Sequence, residues 1–158
     1  KEITLNIDSL GYFLGDEGSG SYIGKRLLAD YMKGFMPKGL SESFFSIYGL
    51  TNEDIFDNIY NKELPNRFCA SFSKFLYDFK TVYPEYMEDV VDTAFTAFFE
   101  NLVIHYPNYK KYVLNVVGSV GYSFRDRLSV IADRYEMGVG KIIRSPIDDL
   151  VEYHLSRR

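Results

Sequence analysis

The chain has 158 residues and only one cysteine, and this scarcity excludes several kinds of site. Because Cys69 has no second cysteine to pair with, the chain contains no internal disulfide and no zinc or iron–sulfur centre built from several of its own cysteines. Long apolar runs are also missing: there is no recognisable signal peptide and no stretch of about 18 apolar residues that would cross a membrane. We therefore expect a reducing, cytoplasmic setting and no membrane partner.

Positive charge is not concentrated anywhere in the sequence. The net charge is −4 and no block of Lys and Arg occurs, which argues against nucleic acid as the main partner. Apolar and aromatic residues are abundant, at 46% and 17% of the chain, and this is typical of one packed globular domain. The first residue is Lys and lies inside a strand-like run, so a processed or truncated chain is expected.

The N-terminal pattern predicts a β-hairpin. Apolar and polar side chains alternate over residues 1–7, as in a half-buried strand. Residues 8–11 have the composition of a turn, and Tyr12–Leu14 is expected to form a second short strand.

A helical region is predicted after the hairpin. Apolar residues recur at helical spacing from Ile23 to Phe35, and Pro37 and Gly39 are expected to end that helix. Residues 40–83 are expected to form several short helices, and residues 85–105 one longer helix whose apolar stripe is core.

Two helix starts within this region have specific signals. Thr51 with Asp54 resembles a capping box, and Pro65 suits the first turn of a helix. The helix after Pro65 is expected to bury one apolar face, made of Phe68, Phe72, Phe75, Leu76 and Phe79.

The pattern changes again near the C-terminus. Residues 112–118 are mostly apolar, as expected for a strand buried on both faces, and residues 121–137 and 141–145 read as a helix and a further strand. Ser145 followed by Pro146 predicts the start of a last helix. Alternating strands and helices imply parallel strands, and the hairpin would make the sheet mixed. The predicted class is α/β.

The loop before the first long helix is dense in glycine and carries two carboxylates, Asp16 and Glu17; its residues 15–19, GDEGS, are called the acidic loop below. It lies within SLGYFLGDEGSGSYIGKRLL, residues 9–28. A loop that cradles phosphate usually carries Lys and bare backbone N–H groups instead. Two interpretations stay open: turn formation and helix capping, or a carboxylate held at a strand end that accepts hydrogen bonds from a polyhydroxylated ligand or a metal-bound water.

A second glycine-containing turn, at Gly118 and Ser119, follows a predicted strand and opens a helix. Small residues there allow a ligand to approach the backbone and the free N–H groups of the helix. The sequence matches neither GxGxxG nor the phosphate-binding loop that ends in Lys-Ser/Thr. A tight strand-to-helix turn explains it equally well.

Three segments together resemble the N-acetylglucosamine kinase family: LGYFLGDEGSGSYIGKRLL, NVVGSVGYSFRDRL and IIRSPIDDLVEYH. They are also similar to the activator ATPases of the benzoyl-CoA reductase type, and both groups belong to the sugar kinase/Hsp70/actin superfamily. The resemblance covers the whole chain but only the C-terminal half of such a protein. It implies that residues 1–158 form a ribonuclease H-like (actin-like ATPase) C-terminal domain without its first strand, and that about residues 36–108 are an all-helical insertion.

The resemblance also implies where ligands bind. The acidic loop would lie at the interdomain cleft and bind an amino sugar through Ser9, Leu10, Gly11 and Asp16. ATP, with Mg²⁺, would lie at Ala70, Gly118 and Ser119. Family members commonly carry Trp where this chain has Leu10. The catalytic base and the main phosphate loops are expected in the N-terminal half, so no catalytic or metal-binding residue is assigned to this chain.

Three functions stay open at this point. The first is the C-terminal half of an ATP-dependent kinase for N-acetylglucosamine or a related amino sugar, inactive without its other half. The second is an ATP-hydrolysing activator of a partner enzyme, although such activators usually carry cysteines for an iron–sulfur cluster. The third is a non-catalytic sugar-binding domain. The expected partners are the amino sugar, ATP and the missing N-terminal half, and a homodimer is left open.

Overall fold

The computed structural model describes residues 5–156, apart from the side chains of residues 148, 149 and 152, and divides into two compact units. Unit 1 is Lys1–Tyr106 and unit 2 is Pro107–Arg158. The described part of unit 1 is helical, whereas unit 2 contains a small parallel sheet with helices, so the chain is of the α/β class. No helix among the described residues is long and apolar enough to cross a membrane.

Unit 1 contains seven α-helices among its described residues, followed by a 3-10 turn at Val103–His105. The helices are α1 (Gly11–Leu14), α2 (Gly20–Lys33), α3 (Lys38–Tyr48), α4 (Asn52–Tyr60), α5 (Pro65–Ser71), α6 (Ser73–Asp78) and α7 (Pro84–Asn101). The predicted short helices between residues 40 and 83, and the longer helix after them, are thus confirmed.

The predicted hairpin is wrong where the structure describes it. Tyr12 to Leu14 belong to α1, because Leu10 and Gly11 take left-handed backbone angles and Gly15 donates its N–H to the Gly11 carbonyl oxygen at 2.9 Å. This hydrogen bond closes one helical turn, so residues 12–14 do not form a β-strand. Of the predicted first strand, residues 1–4 lie outside the described residues and residues 5–7 have no regular structure.

Helix α2 ends earlier than predicted. Gly34 adopts φ of 73° and donates its N–H to the Asp30 and Tyr31 carbonyl oxygens, which is the usual geometry of a glycine after a helix. Pro37 therefore lies just before α3 and does not end α2. Phe35, expected on the apolar face, lies beyond the helix and is 71% exposed.

Other helix signals behave as predicted. Thr51 and Asp54 form a complete capping box, since the Thr51 side chain accepts from the Asp54 N–H and the Asp54 carboxylate accepts from the Thr51 N–H. Pro65 lies in the first turn of α5. The apolar face after Pro65 is divided between two helices that meet at Phe72, which is buried.

The core of unit 1 joins α2, α5 and α7 to an aromatic cluster. Phe44 is fully buried at the centre of that cluster, and its ring centroid lies 4.5 to 5.3 Å from four other rings, those of Tyr31, Tyr48, Phe72 and Phe75. Aromatic pairs at these separations add to the stability gained by burying their area. The apolar face of α7 is buried as predicted; its buried residues are Met87, Val90, Val91, Ala94, Phe95 and Phe99.

Asp30 ties the end of α2 to α7 and is 5% exposed. Its carboxylate accepts from Arg26 Nε at 2.8 Å and from the Tyr86 hydroxyl at 3.0 Å. Burial and the neighbouring Asp30 raise the pKa of the Tyr86 phenol, so this hydroxyl stays a donor at neutral pH. The same Arg26 also reaches Asp89 on α7 at 2.9 Å, but that carboxylate is largely exposed.

Unit 2 contains two parallel strands, β1 (Val113–Val117) and β2 (Gly138–Ile143), as the strand–helix alternation predicts. The helices α8 (Ser119–Ser123) and α9 (Arg125–Arg134) connect them, and α10 (Ile147–Leu155) follows; a 3-10 turn at Tyr109–Lys111 precedes β1. The antiparallel partner that would make the sheet mixed is not found among the described residues.

The first strand of unit 2 is not buried on both faces, which corrects the prediction. Val113 and Val117 are 57% and 58% exposed, whereas Leu114 and Val116, which alternate with them, are half-buried. The pairing also contains a bulge, at which Asn115 Oδ1 accepts from the Lys141 N–H at 2.8 Å.

Replacing Asp30 by alanine tests the α2–α7 connection. Asp30→Ala removes two hydrogen bonds to a buried carboxylate and leaves the Tyr86 hydroxyl without its acceptor, so we expect a loss of about 2–3 kcal/mol in the free energy of unfolding. Asp89→Ala is the matched control, with an expected loss below about 1 kcal/mol because the pair is exposed. Urea unfolding measures both, and equal losses would contradict the role given to Asp30.

Candidate functional site

The segment from Asp8 to Asp16 folds back on itself and brings the predicted sugar-binding residues together. Asp8 Oδ1 accepts from the Leu10 N–H at 3.1 Å, and the Asp16 N–H donates to the Ser9 carbonyl oxygen at 3.1 Å. Ser9, Leu10 and Gly11 therefore lie beside the start of the acidic loop. Backbone groups make the contact between Ser9 and Asp16, and the Asp8 side chain adds the bond to Leu10.

Two non-glycine residues of this segment have left-handed backbone angles. Leu10 has φ of 58° and Asp16 has φ of 70°. Asp tolerates this region better than most residues, whereas Leu rarely enters it, and such a conformation costs about 1–3 kcal/mol. Strain of this kind persists only where the surroundings determine the backbone, so the segment depends on contacts from outside it.

The acidic loop does not use its carboxylates to cap α2. Ser19 is the capping residue, with its Oγ accepting from the Tyr22 N–H at 3.1 Å, and Asp16 contributes only its carbonyl oxygen, which accepts from the Ser19 N–H. Among the described residues, no donor contacts the carboxylate of Asp16. The capping interpretation therefore fails for this side chain, and the turn interpretation holds for its backbone.

Glu17 has a different environment from its neighbour. Its Oε1 accepts from Asn101 Nδ2, at the end of α7, at 2.8 Å. Beside it, Gly18 has φ of 76° and packs so closely on α7 that an added Cβ would lie 3.1 Å from Phe98 Cβ and 3.6 Å from Phe95 Cδ1. Helix α7 thus supports the second half of the loop.

Lys25, on α2, contacts α1 just before the acidic loop. Its Nζ donates to the Tyr12 carbonyl oxygen at 2.8 Å and lies 4.7 Å from the centre of the Tyr12 ring. The Tyr12 hydroxyl in turn lies 3.8 Å from Cys69 Sγ on α5. The pKa of the Tyr12 phenol is raised to about 12, mainly by burial and to a smaller extent by the contact with Cys69. Burial also raises the pKa of the Cys69 thiol. Both groups stay protonated at neutral pH.

Ala70 follows Cys69 in α5 and is half-buried. Its carbonyl oxygen accepts from Ser73 Oγ at 2.8 Å, where α5 gives way to α6. Because Cys69 contacts Tyr12, Ala70 lies in a helix that contacts α1, just before the acidic loop. Nucleotide binding at Ala70 stays a prediction.

Gly118 and Ser119 lie in unit 2 and form the predicted strand–glycine–helix turn. Gly118 has φ of 141°, its N–H donates to the Ile143 carbonyl oxygen at 2.9 Å, and no heavy atom lies within 4 Å of the place an added Cβ would take. Ser119 begins α8. The backbone is open on this side, so a tight turn and a ligand contact both fit it.

A metal site is not formed by the described residues alone. No group of three or more His, Cys, Asp or Glu side chains in the described part of the chain is placed to hold a metal ion. Mg²⁺ and ATP stay predictions.

The sequence analysis missed the two residues that hold the loop, Lys25 and Asn101. Lys25 looks like an ordinary polar position of an amphipathic helix. Asn101 is 84 positions from Glu17, and no local pattern links the two. Only an alignment of related sequences could have given a signal for this pair.

Comparison with solved structures gives several matches, one of which is described here. A crystal structure from Porphyromonas gingivalis, named "Putative N-acetylglucosamine Kinase", matches with a TM-score of 0.88 and 37% sequence identity. The match covers 97% of this chain and 53% of the other, so the chain spans about half of that protein's length. No protein-family model and no curated protein matches the chain. The similarity supports a sugar-kinase-like fold and the resemblance to N-acetylglucosamine kinases.

Gly15 is a direct test of the loop's closure. Its φ is not in the left-handed region, but an added Cβ would overlap the Ser9 carbonyl oxygen and lie 3.1 Å from Glu17 Oε2. We expect Gly15→Ala to lose about 1–3 kcal/mol of stability through overpacking and to speed hydrogen exchange of the Asp16 N–H. In Gly138→Ala, the control, nothing lies within 4 Å of the added Cβ. Unchanged exchange at Asp16 in Gly15→Ala would show that the loop is not closed in solution.

Proposed function

We propose that this chain is the C-terminal part of an ATP-dependent sugar kinase that phosphorylates N-acetylglucosamine or a related amino sugar. The observation that carries the proposal is the match to the Porphyromonas gingivalis protein, with 37% identity over 97% of this chain. The same family was indicated by three separate sequence segments. As in the sequence analysis, we assign residues 1–158 to a ribonuclease H-like domain with a helical insertion at about residues 36–108.

The acidic loop is proposed as the sugar-binding element. The carboxylate of Asp16 has no donor among the described residues, so it is available to accept hydrogen bonds from hydroxyls of a sugar. Such charge-assisted bonds are shorter and stronger than bonds between neutral groups. The exposed backbone of Ser9, Leu10 and Gly11 lies beside it and would line the same ligand.

The nucleotide is proposed to contact the open backbone at Gly118 and Ser119 of unit 2, and Ala70 of unit 1 is kept as a separate candidate contact. In phosphoryl transfer, catalysis consists mainly of positioning the reactants and stabilising the charge of the transferring group, with Mg²⁺ between the phosphate oxygens. We assign no base to this chain. The base for the sugar hydroxyl and the main phosphate contacts are expected in the other half of the protein, and a cytoplasmic location stays an expectation.

The alternative functions have less support. An activator ATPase would be expected to carry several cysteines for its cluster, and this chain has only Cys69, whose thiol is buried. A non-catalytic sugar-binding domain would keep the acidic loop but lack the base and phosphate loops in the other half. The sequence of that half separates this alternative from a kinase.

Asp16→Asn in the complete protein tests the proposal. Asparagine tolerates left-handed backbone angles, so the loop should keep its shape while the charge is lost. We expect ATP-dependent phosphate transfer to N-acetylglucosamine to fall about 10- to 100-fold, the range of a lost hydrogen bond to a charged group. Transfer is measured with N-acetylglucosamine, other amino sugars and hexoses.

Glu53→Gln is the matched control, because Glu53 is exposed on α4 and its substitution should leave transfer unchanged. Normal transfer by Asp16→Asn would remove Asp16 from the sugar site. ATP hydrolysis that no sugar stimulates would instead favour the activator, and sugar binding without any transfer would favour the binding domain.

A further inference from the structure

Two side chains from different helices hold the acidic loop. One contacts α1, just before the loop, and the other contacts Glu17 within it. Lys25 Nζ, from α2, binds the Tyr12 carbonyl oxygen at 2.8 Å, and Asn101 Nδ2, from α7, binds Glu17 Oε1 at 2.8 Å. Neither residue belongs to the loop, and neither is among the residues proposed to contact a ligand. Between the two contacts lies Asp16, the residue proposed to bind the sugar.

The loop needs such support because its backbone is strained. Asp16 has a left-handed φ, and among the described residues it is held locally by two backbone bonds, from its N–H to the Ser9 carbonyl oxygen and from the Ser19 N–H to its own carbonyl oxygen. A few backbone bonds at an exposed segment open readily unless tertiary contacts oppose opening. Lys25 and Asn101 supply polar contacts of that kind.

We propose that Lys25 and Asn101 are positioning residues, which set the affinity of the acidic loop for its ligand without contacting the ligand themselves. This inference rests on the proposed function of the loop as a sugar site. Each residue reduces the number of conformations that the loop samples when free. For a ligand that recognises one loop conformation, the apparent affinity is the intrinsic affinity multiplied by the fraction of molecules that already have that conformation.

The chemistry of the Glu17 and Asn101 pair permits a reciprocal exchange. Asn101→Asp is nearly isosteric but removes the donor and places two carboxylates together, so the contact is lost. In the double variant Glu17→Gln with Asn101→Asp, the new amide donates to the new carboxylate, and the hydrogen bond is restored with its direction reversed. Rescue by the double variant is expected only if the contact itself is what matters.

The experiment measures sugar KM, ATP KM and kcat in the complete protein, together with hydrogen exchange of the Gly15 and Asp16 N–H groups. For Asn101→Asp we expect the sugar KM to rise about tenfold, equivalent to about 1.4 kcal/mol, with kcat and ATP KM little changed. Exchange of the two N–H groups should accelerate by a similar factor. The double variant should recover most of both effects.

Matched controls are present in the same chain. Asn61 Nδ2 donates to Asp57 Oδ1 at 3.1 Å in an exposed contact at the end of α4, so Asn61→Asp creates the same kind of clash away from the loop. Lys25→Met is expected to behave as Asn101→Asp does, whereas Lys33→Met, exposed at the end of the same helix, should match the wild type.

The outcomes separate the inference from the proposed function. A wild-type sugar KM and unchanged exchange in Asn101→Asp and Lys25→Met would overturn the inference even if the protein is a kinase. A raised sugar KM that the double variant does not recover would also overturn it for Asn101, because Glu17 would then act through its own charge. If the wild type phosphorylates no sugar, the proposed function fails, and the inference that Lys25 and Asn101 set sugar affinity fails with it. The exchange rates of the Gly15 and Asp16 N–H groups then show only whether the two residues hold the loop.

Discussion

The close packing of α2 against α5 is the constraint on which the rest of unit 1 depends. It is possible because position 24 has no side chain: a Cβ there would overlap the Cys69 carbonyl oxygen. Helices normally lie about 8–10 Å apart, and small residues at the contact set the lower limit. The approach at Gly24 brings Cys69 to the Tyr12 hydroxyl and lets the next residue, Lys25, reach the Tyr12 carbonyl oxygen. One packing contact thus determines where the acidic loop begins.

The sequence predicted those parts of the fold that local rules control. Helical spacing, the capping box at Thr51 and the parallel pair of strands were all predicted, because each depends on residues within a few positions or on a topology rule with few exceptions. The acidic loop was selected because two carboxylates among glycines do not suit a phosphate site, and its role stays a prediction.

The errors have a common physical cause, which is that tertiary contacts and single backbone angles outweigh short patterns. Three residues, Tyr12 to Leu14, were too few to distinguish a strand from one helical turn, and the left-handed angles of Leu10 and Gly11 decided the outcome. Gly34 ended α2 before Pro37 because a left-handed glycine closes a helix at once. The bond between Glu17 and Asn101 joins residues 84 positions apart and has no local signature.

The two carboxylates of the loop have different hydrogen-bond partners, and this difference affects which kind of ligand the loop could bind. Glu17 already accepts a hydrogen bond from Asn101, whereas no described donor contacts Asp16. An ionised carboxylate accepts hydrogen bonds but donates none, and its charge repels phosphate. A loop with one carboxylate held in place and the other available therefore favours an uncharged ligand with several hydroxyl donors over an anion. If the chain belongs to a kinase, as proposed above, its phosphate contacts are therefore expected outside this loop. Within unit 2, the backbone at Gly118 is open and neither Gly118 nor Ser119 carries a negative side chain, which is why the nucleotide is proposed to bind there.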